Sequence, residues 1–219
     1  MSAPAQSLSL WRRVAGGRAG ARPGGPVVWL SAVAIGLALA IGALWYLRPA
    51  PVELPGTPLD GTPAPQFRLI DHRGVELGLA DFRGKPVVLA FMYTNCPDVC
   101  KLTAAGLHQT VELLGADAAR VQLVAVSVDP SGDDPGSVRR FLGRYNLGER
   151  MVYFTGPAQS LPAVWQAYYL YVDTSVKEDA HTDAIYLIDK QGRERSLLHS
   201  DFDPDELAAA LRTLVGEPA

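Results

Sequence analysis

VVLAFMYTNCPDVC, residues 87–100, joins an unbroken apolar run to a pair of cysteines four positions apart. Bounded by the turn Arg83-Gly84-Lys85-Pro86, residues 87–93 read as a strand buried on both faces. Beyond the cysteines, Leu102, Leu107, Val111 and Leu114 form an apolar stripe that predicts a helix over 99–114. A second apolar run, VQLVAVSV at 121–128, precedes a loop and a helix at 136–145. This strand–helix–strand–helix order predicts parallel strands joined by right-handed crossovers.

Outward from this core, residues 66–79 read as a β-hairpin turning at Asp71-His72-Arg73-Gly74, with His72 solvated in the turn. Residues 152–154 predict a short strand and 161–169 a short helix. Residues 184–189 and 194–198 flank Lys190-Gln191-Gly192 as an antiparallel pair, and Asp203 caps a last helix to Val215. The class is α/β, a mixed sheet with helices on both faces. The order is thioredoxin-like, opened by an N-terminal β-hairpin.

The charge is uneven along the 219 residues. Of the 20 basic residues, 15 follow Arg48, together with all 23 acidic ones, leaving roughly -8 on that part. Such a surface repels phosphate backbones, so no nucleic acid partner is expected. Residues 26–47 carry no charge, and about 20 helical residues match a hydrocarbon core of about 30 Å. Arg12, Arg13, Arg18 and Arg22 precede them, which holds the N-terminus in the cytoplasm and sends the rest across an inner or plasma membrane. A cleaved signal peptide would have a shorter apolar core and a better cleavage site than Leu47-Arg48-Pro49-Ala50. An acid-free, Arg-rich leader also suits mitochondrial import, with the same final topology. Six prolines and two glycines at 49–65 predict an extended spacer. The expected organisation is a basic leader (1–25), a transmembrane helix (26–47), a Pro-rich spacer (48–65) and an extracytoplasmic domain (66–219).

Cys96 and Cys100 are the only cysteines. They fall at the carboxyl end of the first buried strand, where ligands gather in open α/β sheets. The following helix contributes partial positive charge that lowers thiol pKa values. The C-x-x-x-C spacing is wider than that of dithiol oxidoreductases, letting both sulfurs grip an ion, although such a pair still oxidises. A structural disulfide is the bland alternative, and so short a loop would contribute little to stability.

Two thiolates and an imidazole suit copper, the sulfurs selecting Cu(I) and the nitrogen accommodating Cu(II). His72 lies in a turn, His199 ends a strand, and His108 lies about 12 Å along the helix from Cys100, too far to share an ion. His181 stands just before the strand at 184–189, where thioredoxin-like oxidoreductases carry a cis-proline, and is the expected third ligand.

Three motifs in order resemble the SCO/SenC family of copper-binding thioredoxin-like proteins. They are Tyr93-Thr94-Asn95-Cys96-Pro97-Asp98-Val99-Cys100; Ser127-Val128-Asp129-Pro130 with Asp133 and Pro135; and His181-Thr182 before Tyr186-Leu187-Ile188. The resemblance implies a membrane-anchored metallochaperone that binds copper through Cys96, Cys100 and His181. Its implied client is cytochrome c oxidase subunit II or a similar cuproprotein, with a copper donor or thiol reductase upstream. No substrate bond is broken, so a carrier rather than an enzyme is expected, with accessory thiol reduction by the Cys96–Cys100 pair. Asp129 and Asp133 match acidic family positions, either supporting or docking residues or a capped loop before a helix. Lys101 and Asn95 depart from the family, where proline and histidine are common. The rival from another class is an extracytoplasmic thiol-disulfide oxidoreductase carrying no metal. A peroxidase would need a Thr/Pro/Arg setting that is absent, and a copper or redox sensor is a further alternative.

Overall fold

The computed structural model describes residues 26–46, 53–173 and 180–218. Two units make up the chain, Met1–Pro51 and Val52–Ala219. In the first, α1 (Pro26–Tyr46) is a 21-residue helix. Its Leu30, Val33, Ile35, Leu37, Leu39 and Ile41 are exposed. Counted on described side chains alone, no helix is long and apolar enough to cross a membrane. The side chains at 26–28, 32, 44 and 45 fall outside that count. The basic leader at 1–25 and positions 47–52 lie outside the described residues.

The second unit runs β1 (Thr57–Pro58), β2 (Arg68–Ile70), β3 (Glu76–Gly78), β4 (Val87–Met92), α2 (Val99–Leu114), β5 (Gln122–Ser127), α3 (Pro135–Arg144), β6 (Met151–Phe154), α4 (Leu161–Ala167), β7 (Val172–Asp173), β8 (Ala180–His181), β9 (Ile185–Ile188), β10 (Glu194–Leu198) and α5 (Pro204–Gly216). Six strands form one sheet in the order β1-β10-β9-β4-β5-β6. The strands β4, β5 and β6 are parallel, as the apolar runs predict, and β9 lies antiparallel on the other side of β4. Every residue of β4 is buried. Each large apolar side chain buried this way contributes about 1.5–3 kcal/mol. The register pairs Met92 with Ser127, so β4 and β5 end level and their following loops leave the same edge. Asp203 caps α5 as expected, accepting from Asp205 N at 2.8 Å and Glu206 N at 3.3 Å.

Three expectations are corrected. Residues 53–65 are not simply a spacer: Thr57 and Pro58 pair with Leu197 and Ser196 of β10, and Ala64 is buried. Pro58 is tolerated because β1 is an edge strand. On α2, Leu102 is 60% exposed, and the buried face is Cys100, Thr103, Ala104, Leu107, Thr110 and Leu114. His72 is not solvated, because the β2–β3 turn leans on β6, where Asp71 bridges to Phe154 and His72 N donates to Tyr153 O at 2.8 Å.

The buried His72 ring has no hydrogen-bond partner at Nδ1. Burial pushes its pKa below the ordinary 6.5, against the opposing pull of the Asp71 carboxylate. The folded chain therefore holds this imidazole neutral, and its contribution to stability is complete above pH about 6.5 and lost as the pH falls below that value. We expect the thermal midpoint to drop between pH 7.5 and pH 5.5 by less in His72→Gln than in the parent chain. Equal drops in a pair of melting curves would remove His72 as the cause.

Candidate metal centre

The chain leaves β4 at Met92, passes through Tyr93, Thr94 and Asn95 to Cys96, and enters α2 at Val99. Asp98 holds the N-cap position but makes no side-chain cap. The sulfur of Cys96 serves instead, accepting the Cys100 N–H at 3.3 Å, while the Asp98 carbonyl accepts from Lys101 N and Leu102 N. An otherwise orphaned helical donor is thereby spent on a thiol sulfur.

Both cysteines are free, and both are buried, Cys96 3% and Cys100 2% exposed. The Cys100 thiol hydrogen-bonds to Cys96, and this contact and burial together push its pKa up, against the effect of a Tyr93 backbone hydrogen bond. The expected lowering by the helix is thus overridden at Cys100. Burial therefore favours the protonated thiol at Cys100.

His181 lies in β8, in a two-residue ribbon with β7 where Val172 pairs with His181. The ribbon was not expected from the sequence. Its neck is clasped twice: Thr182 N donates to Tyr171 O at 3.0 Å, and Tyr171 N donates to Thr182 Oγ1 at 3.1 Å. Beyond the neck, Ala184 O accepts from Phe91 N, tying this segment to β4 just before the cysteine loop. The side chain of His181 lies outside the described residues. Among the described residues no cluster of three His, Cys, Asp or Glu could hold a metal ion, a count that leaves out the His181 ring. The structure therefore brings Cys96 and Cys100 together and leads the His181 backbone into the strand beside β4. His199 is exposed, as expected, with Nδ1 2.7 Å from Asp183 O.

The loop at 128–134 supports the cysteine loop from the neighbouring strand. Asp129 Oδ1 accepts from Ser131 N, Gly132 N and Ser131 Oγ, a turn closed within the loop. Asp133 is 2% exposed. Its Oδ1 accepts from Thr94 N at 2.8 Å, and its Oδ2 accepts from Ser127 Oγ at 2.6 Å and lies 2.9 Å from the Tyr153 hydroxyl. The same hydroxyl is 2.9 Å from Met92 O, and Trp165 Nε1 donates to Ser127 O at 2.9 Å. Burial pushes the Asp133 carboxyl up, partly offset by the bonds from Ser127 and Thr94, and pushes the Tyr153 phenol well up, keeping it a donor.

The capping reading of Asp133 does not hold. The cap of α3 is Asp134, which accepts from Gly136 N at 2.6 Å and Ser137 N at 3.0 Å. Asp134-Pro135 carries that signal, since proline favours the first helical position. Tyr153, a phenol inside an apolar strand, was a further signal that sequence reasoning passed over, because a buried hydroxyl demands a partner.

Residues 57–216 match the sequence model of SCO1/SenC. The mouse Protein SCO2 homolog, mitochondrial, is 33% identical over 134 residues, covering 58% of this chain and 52% of that protein. The chain thus spans about half the length of the mammalian SCO2 homologs it matches. The SCO2-like protein of Rickettsia conorii is 24% identical over 196 residues, covering 82% of this chain and 94% of the relative. Among solved structures, Bradyrhizobium japonicum ScoI with copper bound superposes with a TM-score of 0.63 at 28% identity, covering 70% of this chain and 99% of that one. The thioredoxin-like α/β arrangement is shared with these Sco structures. With a family match that runs from β1 to the end of α5, the chain belongs to the SCO1/SenC family.

Proposed function

We propose that this chain is a membrane-anchored copper carrier in which Cys96, Cys100 and His181 hold the ion. The observation that carries the reading is the pair of free, buried cysteines at the carboxyl end of β4, Cys96 Sγ accepting the Cys100 N–H at 3.3 Å, with the His181 backbone led into the adjacent strand β9. Thiolate donors select Cu(I), and a nitrogen donor extends the set to Cu(II). The copper-bound state of a relative 28% identical supports it. Copper is cargo here: the chain takes it from a donor and passes it by stepwise ligand exchange to the thiolates and imidazoles of a client. The binuclear copper site of cytochrome c oxidase subunit II is the client that the family resemblance indicates. The burial of both sulfurs means that exchange needs a local opening of the loop at 93–98, which also limits oxidation while the site is closed.

Residues 26–47 are proposed as the anchor, with 1–25 cytoplasmic and the folded unit that contains β1 to α5 extracytoplasmic. The support is the uncharged sequence of α1, its exposed apolar side chains and the four arginines on its N-terminal side.

A second reading rests on the adjacency of the two cysteines, Cys96 Sγ accepting the Cys100 N–H at 3.3 Å. As a reductase, the pair would give two electrons and two protons to a client disulfide, becoming a disulfide itself and needing an external dithiol for each new turn. Anaerobic reconstitution of the full chain separates the two. A carrier retains one Cu(I) per chain after desalting, and His181→Ala lowers its affinity while leaving two sulfur ligands in place. Unchanged affinity in His181→Ala removes the histidine from the site, and absence of bound copper together with dithiol-dependent turnover favours the reductase.

A further inference from the structure

The two loops at the carboxyl edge of the sheet interlock. Asp133, in the loop after β5, reaches across to accept the N–H of Thr94, two residues before Cys96, at 2.8 Å. Its second oxygen is fixed from behind by Ser127 Oγ at 2.6 Å and the Tyr153 hydroxyl at 2.9 Å, on β5 and β6. Gly132 lies so close to the cysteine loop that a Cβ there would come within 3.0 Å of the Asn95 side-chain nitrogen and would collide with the Asp129 carboxylate. Two consecutive residues of one loop therefore seat against two consecutive residues of the other. The Thr94 N–H is thus anchored two residues before Cys96, whose own N–H bonds back to Tyr93 O at 3.4 Å.

We propose that Asp133 is a positioning residue for the cysteine pair, holding Thr94 so that the loop presents Cys96 at a fixed distance and angle to Cys100. This rests on the carrier reading for its consequence in copper affinity, and on geometry alone for its consequence in the dithiol. Asp133 touches neither sulfur, so it acts through the backbone of Thr94. Ser127 Oγ and the Tyr153 hydroxyl meet the other oxygen of Asp133, Oδ2, so the Oδ1 contact to Thr94 does not run through Tyr153 alone.

The test uses the reduced full chain in detergent, with Asp133→Ala, Asp133→Asn, Asp133→Glu and Tyr153→Phe. Three quantities are read: Cu(I) affinity against a chromophoric Cu(I) chelator, the equilibrium constant for thiol–disulfide exchange with glutathione, and the thermal midpoint. Asp133→Ala is expected to weaken Cu(I) binding about 10–100-fold, the cost of losing a group that orients a ligand, and to shift the exchange constant. Asp133→Asn, whose oxygen still accepts from Thr94 N, restores both. Tyr153→Phe keeps the Thr94 contact and lowers the thermal midpoint with affinity and exchange constant unchanged. If Asp133→Ala does not fold, Asp133→Glu is read instead, because the added methylene displaces the acceptor and should move both quantities in the same way. Parent values of affinity and exchange constant in Ala or Glu, failure of Asn to restore them, or an equal loss in Tyr153→Phe would overturn the proposal. A parent chain that binds no Cu(I) sinks the carrier reading, while the glutathione equilibrium, which needs no metal, still decides the role of Asp133.

Discussion

Serine in place of Cys100 is expected to abolish tight Cu(I) binding while leaving the chain folded. A hydroxyl is a hard, weakly acidic donor, and Cu(I) discriminates strongly for thiolate. The loss should exceed the roughly 100-fold that marks the upper end for supporting groups. Cys96→Ser should be as severe for copper but milder for the fold than Cys96→Ala. The Cys96 sulfur accepts the Cys100 N–H at 3.3 Å, and a serine oxygen can take over that bond, whereas alanine leaves a buried donor of the first helical turn unpaired. That difference is about 1–3 kcal/mol. Chelator competition on the reduced full chain gives the affinities, and chemical denaturation without copper gives the stabilities. Sub-tenfold losses in both serine variants would mean that the ion is held elsewhere, and equal stability of Cys96→Ser and Cys96→Ala would mean that the sulfur does not act as a cap.

The strands and helices that position the site were legible because their signals are local. Residues 87–92 and 123–126 are apolar without interruption, and a strand buried on both faces needs no alternation to be recognised. The helix expected over 99–114 matches α2, and the Asp203 cap is a short-range hydrogen-bond pattern. What stayed hidden depends on partners distant in sequence. The buried face of α2 includes Thr103 and Thr110, polar by composition, which become compatible with burial by bonding back to Val99 O at 3.0 Å and Gly106 O at 2.9 Å. Leu102 was assigned to that face on apolarity alone. His72 reads as a turn residue until β6 is laid beside the turn. The pairing of β1 with β10 spans residues 57–58 and 196–197, and no two-residue strand announces itself by periodicity. At the site, the cysteines were readable from spacing and strand context. Asp133 was singled out only through the family resemblance, with its role left open, because that role lies in contacts to Thr94 and Tyr153, 39 and 20 residues away.

Tyr168→Ala is the substitution outside the sulfur pair from which we expect the greatest damage, and it should act on stability and on copper together. The Tyr168 ring lies 5.3 Å from Phe91, 5.1 Å from Tyr186 and 6.4 Å from Phe67, linking β4, β9 and the segment before β2. Its hydroxyl donates to Pro65 O at 2.9 Å, and its own carbonyl accepts from Tyr186 OH at 2.7 Å. Removing a buried aromatic ring of this kind costs about 3–5 kcal/mol through lost contacts and the cavity left behind. Tyr168→Phe keeps the ring and orphans only one carbonyl, for about 1 kcal/mol. The next residue, Tyr169, is 92% exposed and holds φ at 56°, a conformation that a non-glycine residue adopts only when its neighbours enforce it. Leu170 N to Trp165 O at 2.8 Å and the ring of Tyr168 are those neighbours, and the ribbon carrying His181 begins two residues later at Val172. Losing the ring should let Tyr169 relax and the neck of the ribbon drift, so that Tyr168→Ala loses Cu(I) affinity to about the level of His181→Ala while Tyr168→Phe does not. Urea unfolding and chelator competition on the same samples measure both. A destabilised Tyr168→Ala that still binds copper as the parent does would show that the cluster holds the core alone and that His181 is positioned by the Tyr171–Thr182 clasp without it.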